Sequence, residues 1–156
     1  MTLASFNAAP ADEARAVMLG CCASARFAAA LAAGRPHEST AAALAAVDSV
    51  FAALTWDDVH EAMAGHPRIG ARVSGLSAAE QSGVGDASRA ALVAGNVAYE
   101  DRFGHVFLIC ATGLSGTQML AALRQRLTND EEAERVVATV ELRKITQLRV
   151  RKALVP

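Results

Sequence analysis

VFLIC, residues 106–110, is a short run of bulky apolar residues whose reading decides whether this fold contains a sheet. Val and Ile suit a strand, and a run this short is equally compatible with a buried helical turn. The chain around it favours helices. Of 156 residues 36 are alanine, so much of the apolar content is small helix-forming filler and not bulky core volume. VFLIC is therefore expected to enter the core without forming a sheet, in one compact all-α domain over residues 1–156, built from about six to eight helices.

Working outward, start and stop signals recur along the chain. Residues 86–102 precede VFLIC as one helical pattern and residues 115–127 follow it as another. Asn129, followed by Asp130, Glu131 and Glu132, starts a last helix that runs to about Lys152. Towards the N-terminus, Pro10, Asp12 and Glu13 open a helix expected to continue to about Leu31 and to stop at Gly34. Residues 39–54 form a second pattern, and Thr55 with Asp57 and Asp58 begins a third that reaches about Ala64. Residues 70–85 read as a loop holding a possible short helix.

Composition excludes several classes of function. Fifteen Lys and Arg against sixteen Asp and Glu leave a formal charge of -1, without the basic excess that a phosphate backbone requires. No nucleic acid partner is expected. No apolar run approaches the roughly 20 residues of a membrane span, and acids stand where a signal peptide carries cations, so no membrane partner and a cytoplasmic location are expected. Cys21, Cys22 and Cys110 are odd in number and read as buried thiols, not as a disulfide framework. His60-Glu61 lacks the second histidine that a zinc motif needs.

HPRIG, residues 66–70, breaks the helical composition. Pro67 drives His66 into an extended conformation just past a helix end, where an imidazole is available for acid/base work. The alternative is a helix-stop signal, with Gly65 as terminator and His66 on the last carbonyls. Ser77 and Glu80 fit a capping box, and the same helix start would offer a carboxylate and free amides to a ligand. Arg149 falls in the arc of Ala138, Leu142 and Ile145, the apolar side of the last helix, so it needs either a protein carboxylate or a substrate group.

Taken in order, HPRIG at 66–70, SAAEQ at 77–81, NVAYEDRFGHVFLICATG at 96–113 and KITQLR at 144–149 resemble the 2-oxo-4-hydroxy-4-carboxy-5-ureidoimidazoline (OHCU) decarboxylase family. FNAAP near the N-terminus, CCAS at 21–24 and GRP at 34–36 extend the resemblance over nearly the whole chain. It departs from the family pattern at Phe27, where tryptophan is common, at His37, and in FGHVF. The resemblance implies an all-helical homodimer that uses no cofactor. It places the catalytic residues on His66, Glu80 and Arg149, and substrate contacts on Pro67, Ser77, Ala78, Ala79 and Gln81. It also implies ligand contacts from the backbone of Phe107, Leu108, Ile109, Cys110 and Ala111. The reaction it implies is decarboxylation of the ureidoimidazoline substrate to S-allantoin, last in the breakdown of urate to allantoin. That substrate carries a C=N bond beside the carbon that loses carbon dioxide and so serves as its own electron sink; no metal is expected. Two competing readings remain: a non-catalytic helical module that holds a small ureide or anion through Arg149 and Arg68, and thiol redox chemistry at Cys21 and Cys22.

Overall fold

In the computed structural model, residues 1–70 and 80–155 are described, and among them the chain forms eight helices and no strand. These are α1 (Leu3–Ala8), α2 (Ala11–Cys21), α3 (Ala25–Ala33), α4 (Thr40–Ala53), α5 (Trp56–Met63), α6 (Asp86–Phe103), α7 (Gly116–Arg126) and α8 (Glu131–Ala153). An isolated bridge between Thr2 and Val155 is the one β-type pairing among the described residues. The all-α expectation is met. Contacts divide the chain into two units, Met1–Ala62 with Leu142–Pro156, and Met63–Glu141.

The first unit contains α1 to α4. The helix expected from Pro10 to Leu31 is two helices, because Cys22 is extended (φ -152°, ψ 117°) and the chain restarts at Ser24. The Ser24 hydroxyl accepts the Phe27 N–H at 3.2 Å, which satisfies one of the orphan donors at the new N-terminus. Ala23 and Ala25, good helix formers on either side of Ser24, hide this break in the sequence. Phe27 of α3 then meets Phe51 of α4 edge-on, ring centroids 5.7 Å apart, within a core that includes Met18, Leu31 and Val47. α1, capped by Thr2, was not expected from the sequence; its Phe6 is fully buried.

The second unit is built on α6 and α7. Its core comprises Ile69, Leu92, Tyr99, Phe107, Ile109, Ala111, Met119 and Leu123. α6 ends at Gly104, whose left-handed conformation (φ +75°) lets its N–H reach the Glu100 carbonyl. VFLIC follows as irregular backbone, neither strand nor helical turn, with Phe107, Leu108 and Ile109 buried. Buried backbone groups must find partners, and here side chains supply them. Arg126 donates through Nη1 to the Leu108 carbonyl at 2.6 Å, and the Cys110 N–H donates to Glu141 Oε1 at 3.4 Å. Such side-chain partners stand in for a neighbouring strand.

A buried ionic network holds Arg126 in turn. Glu134 is fully buried, and its Oε1 accepts from Arg126 Nε at 2.7 Å and from the Tyr99 hydroxyl at 2.6 Å. Asn129 donates to Oε2 at 3.0 Å, so the carboxylate is fully engaged. Asp130, not Asn129, caps α8: its carboxylate accepts the Ala133 N–H at 2.7 Å. That releases Asn129 for Glu134.

Candidate active site

α5 ends at Met63, and the His66 N–H turns back to the Met63 carbonyl at 3.0 Å. His66 and Pro67 are half-buried beyond that turn. The three residues that follow are tied to α6 one after another. Arg68 forms a two-pronged pair with Glu100, Nε to Oε1 at 2.6 Å and Nη2 to Oε2 at 3.1 Å. The Glu100 carboxylate raises the Arg68 pKa by hydrogen bonding and by charge. Ile69 buries its side chain in the core and gives its carbonyl to Asn96 Nδ2 at 2.7 Å. Gly70 gives its carbonyl to Arg89 Nη1 at 2.6 Å and its N–H to Gln81 Oε1 at 3.0 Å.

Gly70 has to be glycine. Its φ is +86°, and a Cβ there would stand 3.3 Å from Cβ of Leu92. The segment from Glu80 is just as closely fitted. Glu80 is half-buried and helical, the Gln81 carbonyl accepts the Val84 N–H, and a Cβ on Gly83 would collide with the Leu114 carbonyl oxygen.

The structure thus joins two of the sequence motifs, HPRIG and the EQ of SAAEQ, through Gln81 and Gly70. Ser77, Ala78 and Ala79 lie outside the described residues, and with them the capping box. Of the backbone stretch 107–111, four residues are buried and Cys110 is half-buried. Its Leu108 carbonyl and Cys110 N–H already serve Arg126 and Glu141. A cleft of about 410 Å³ in the second unit touches this stretch at Ile109 and is lined also by Gln125, Arg126, Asn129 and Glu141. His66 and Glu80 do not line it.

Arg149 belongs to the first unit, half-buried on α8, on the side where Ile145 and Val150 are buried. Its charge acts on both Cys21 and Cys22 and lowers their pKa, but burial is the larger effect and pushes both thiols up to about 11. Thr146 and the Ser24 backbone also act to lower the Cys22 value. The cation that acts on these cysteines is therefore Arg149, and it does not make them thiolates. Buried thiols are what the sequence led us to expect at Cys21 and Cys22; Cys110 is only partly covered. Among the described residues no cluster of His, Cys, Asp or Glu is arranged to hold a metal ion, and no helix is long and apolar enough to cross a membrane.

Sequence reasoning missed the residues that hold the loop. Arg89, Asn96 and Glu100 fall on the α6 face that also carries buried Leu92 and Tyr99, so a polar residue in that apolar arc was the available signal.

A helical protein with an imidazole-bearing loop fastened beside a carboxylate segment defines the class. Within it, the OHCU decarboxylase family profile matches residues 7–151, and the chain belongs to that family. It is 35% identical over 144 residues to the uric acid degradation bifunctional protein TTL of Arabidopsis thaliana, covering 85% of this chain and 44% of that one. It is 41% identical over 66 residues to the 2-oxo-4-hydroxy-4-carboxy-5-ureidoimidazoline decarboxylase of Amia calva, covering 42% and 37%. These alignments take in less than half the length of either curated relative. A crystal structure of OHCU decarboxylase in the presence of (S)-allantoin superposes with a TM-score of 0.76 at 34% identity, over 86% of this chain and 94% of that one. A crystal structure of (S)-allantoin synthase shares the fold, with a TM-score of 0.75 at 23% identity over 99% of this chain and 54% of the other.

Proposed function

We propose that this chain decarboxylates 2-oxo-4-hydroxy-4-carboxy-5-ureidoimidazoline to (S)-allantoin, without a cofactor, as a homodimer in the cytoplasm. The observation that carries this reading is the fastening of the HPRIG loop to the EQ segment by the Gln81–Gly70 hydrogen bond, in a chain of this family. A general acid or base is effective only when held within hydrogen-bond reach of its proton, and a loop fixed at three consecutive residues meets that need.

The chemistry asks for geometry and protons. The bond from the hydroxyl-bearing carbon to the carboxylate breaks and carbon dioxide leaves; the released pair forms a double bond to the neighbouring ring carbon as the C=N π pair moves to nitrogen, which takes up a proton. His66 accepts the hydroxyl proton as that carbon becomes a carbonyl, and a proton returned to the neighbouring ring carbon from one face sets the S configuration. Glu80 accepts hydrogen bonds from ring or ureido N–H groups and orients His66. Arg149 is assigned a substrate carbonyl or carboxylate oxygen, where a guanidinium balances the charge that moves through the ring. Pro67 and Gln81, Ser77 to Ala79, and the backbone from Phe107 to Ala111 are assigned substrate contacts.

The test is loss of substrate ultraviolet absorbance on adding enzyme, with the handedness of the product read by circular dichroism. His66→Ala and Glu80→Ala should fold and lose about 10²- to 10⁴-fold in kcat. Saturable binding without turnover by the parent chain would instead identify a ureide-binding module.

A further inference from the structure

The face of α6 that meets the loop is ordered. Arg89, Leu92, Asn96 and Glu100 follow the spacing i, i+3, i+7, i+11, which places them along one side of the helix. They meet the segment after Pro67 in reverse order. Glu100 takes Arg68, Asn96 takes the Ile69 carbonyl, and Arg89 takes the Gly70 carbonyl, with Leu92 packed beneath Gly70. The helix thus runs antiparallel to residues 68–70 and reads them one at a time.

Asn96 is the unusual member. It is 3% exposed, and while its Nδ2 donates at 2.7 Å, its Oδ1 is buried with no hydrogen-bond partner among the described residues. A half-met amide in a core is a cost to stability that an aliphatic residue of similar size would avoid. What Asn96 supplies is a fixed direction for the Ile69 carbonyl, three residues from His66. Arg89 does the same for Gly70, whose N–H is already committed to Gln81, the neighbour of Glu80.

We propose that Asn96 and Arg89 are positioning residues that set the placement of the His66 imidazole relative to the Glu80 segment by holding the carbonyls of Ile69 and Gly70. The proposal rests on the catalytic reading of His66 given above. Neither side chain is assigned a contact with substrate. Displacement of a reacting group by about 1 Å can cost on the order of 10² in rate, so their effect should appear in kcat and in the pH dependence of kcat more than in KM.

The experiment compares Asn96→Asp, Arg89→Lys, Arg89→Met, His66→Ala and the exposed control Val93→Ala with the parent chain. Each is measured for kcat, KM and pH profile on fresh substrate, and for thermal unfolding. Asn96→Asp keeps the volume but turns an oxygen towards the Ile69 carbonyl. It should lose about 10²-fold in kcat with KM within about threefold, and its pH profile should shift. Arg89→Lys keeps a donor for Gly70 and should retain most of kcat. Arg89→Met keeps the stem and should lose roughly tenfold, while Val93→Ala should match the parent. If Asn96→Asp does not fold, the Lys and Met pair at Arg89 decides the matter. Parent-like kcat and pH profile in Asn96→Asp or Arg89→Met, with His66→Ala inactive, would overturn the positioning role and leave the proposed function standing, even if the melting temperature fell. Parent-like turnover by His66→Ala would defeat the catalytic reading itself, and the positioning role with it.

Discussion

Gln81 Oε1 accepts the Gly70 N–H at 3.0 Å, across eleven residues of chain, and this bond fastens the loop that carries His66 to the segment that carries Glu80. The sequence reading gave Gln81 to the substrate; the structure uses its carbonyl oxygen for the loop. The amide nitrogen of the same side chain is the part left to the proposed ligand contact.

Removing that acceptor should be felt twice. Gln81→Leu leaves the buried Gly70 N–H without its partner, which costs about 1–3 kcal/mol of stability. Because the loop then keeps its ties to α6 but loses its tie to the Glu80 segment, kcat should also fall, by roughly tenfold. Denaturant unfolding and steady-state kinetics on the same preparation measure the two effects.

Gly70→Ala tests the backbone itself. An alanine forced to φ +86° pays for a left-handed conformation and presses a methyl against Leu92. The expected loss is about 1–3 kcal/mol, with kcat lowered as the loop shifts. Chemical unfolding with an unchanged midpoint would count against the strained geometry.

The Arg126–Glu134–Tyr99 network should be strongly asymmetric under substitution. Tyr99→Phe removes one hydrogen bond from a carboxylate that keeps two other partners, and should cost about 0.5–1.5 kcal/mol. Glu134→Leu leaves the Arg126 guanidinium buried and unpaired beneath Leu108, and should cost about 3–5 kcal/mol. Burial, reinforced by the same carboxylate, keeps the Tyr99 hydroxyl protonated well above its ordinary range. Equilibrium unfolding of both variants gives the comparison.

Cys21 and Cys22 give the fold a dependence on alkaline pH. Each is raised from an ordinary 9.0 to about 11 by burial, so the folded chain keeps its thiol protons where the unfolded chain has lost them. Their contribution is complete below about pH 9 and is lost as pH climbs towards 11. Unfolding free energy measured across that window should fall, and a Cys21→Ala/Cys22→Ala chain should fall less steeply. Alkylation at pH 8 should modify Cys110 first and reach the other two only on unfolding.

Arg149 lowers both thiol pKa values by its charge in the folded chain, so Arg149→Ala should push them further up, read as a shift of thiolate ultraviolet absorbance to higher pH in the native protein. In the proposed reaction the same substitution removes a substrate contact and should reduce kcat/KM by about 10²-fold or more. Thiol titration and kinetics therefore report separately on its two surroundings.

Much of the helical frame was legible because its signals are local. Ser39 and Ser115 cap α4 and α7, and Gly34 and Gly104 end α3 and α6, through bonds that span three or four residues. The break at Cys22 was not legible, since Ala23 and Ala25 on either side of Ser24 satisfy one helix as readily as two, and the bond from the Phe27 N–H to the buried Ser24 hydroxyl appears only in the folded chain. VFLIC was legible as core but not as irregular backbone, because that outcome depends on Arg126 and Glu141 reaching its peptide groups from 18 and 31 residues away.

By itself the sequence determined an all-helical chain, a histidine set off from a helix by proline, and membership of a decarboxylase family. Helix periodicity, caps and breakers act over a few residues and can be read in order. Tertiary structure alone decided that Asn96, Arg89 and Glu100 grip the loop after His66, that Gln81 closes it, and that Arg149 lies beside two protonated thiols. A hydrogen bond has angular and distance limits of a few tenths of an ångström, and only packing brings groups so far apart in sequence within them.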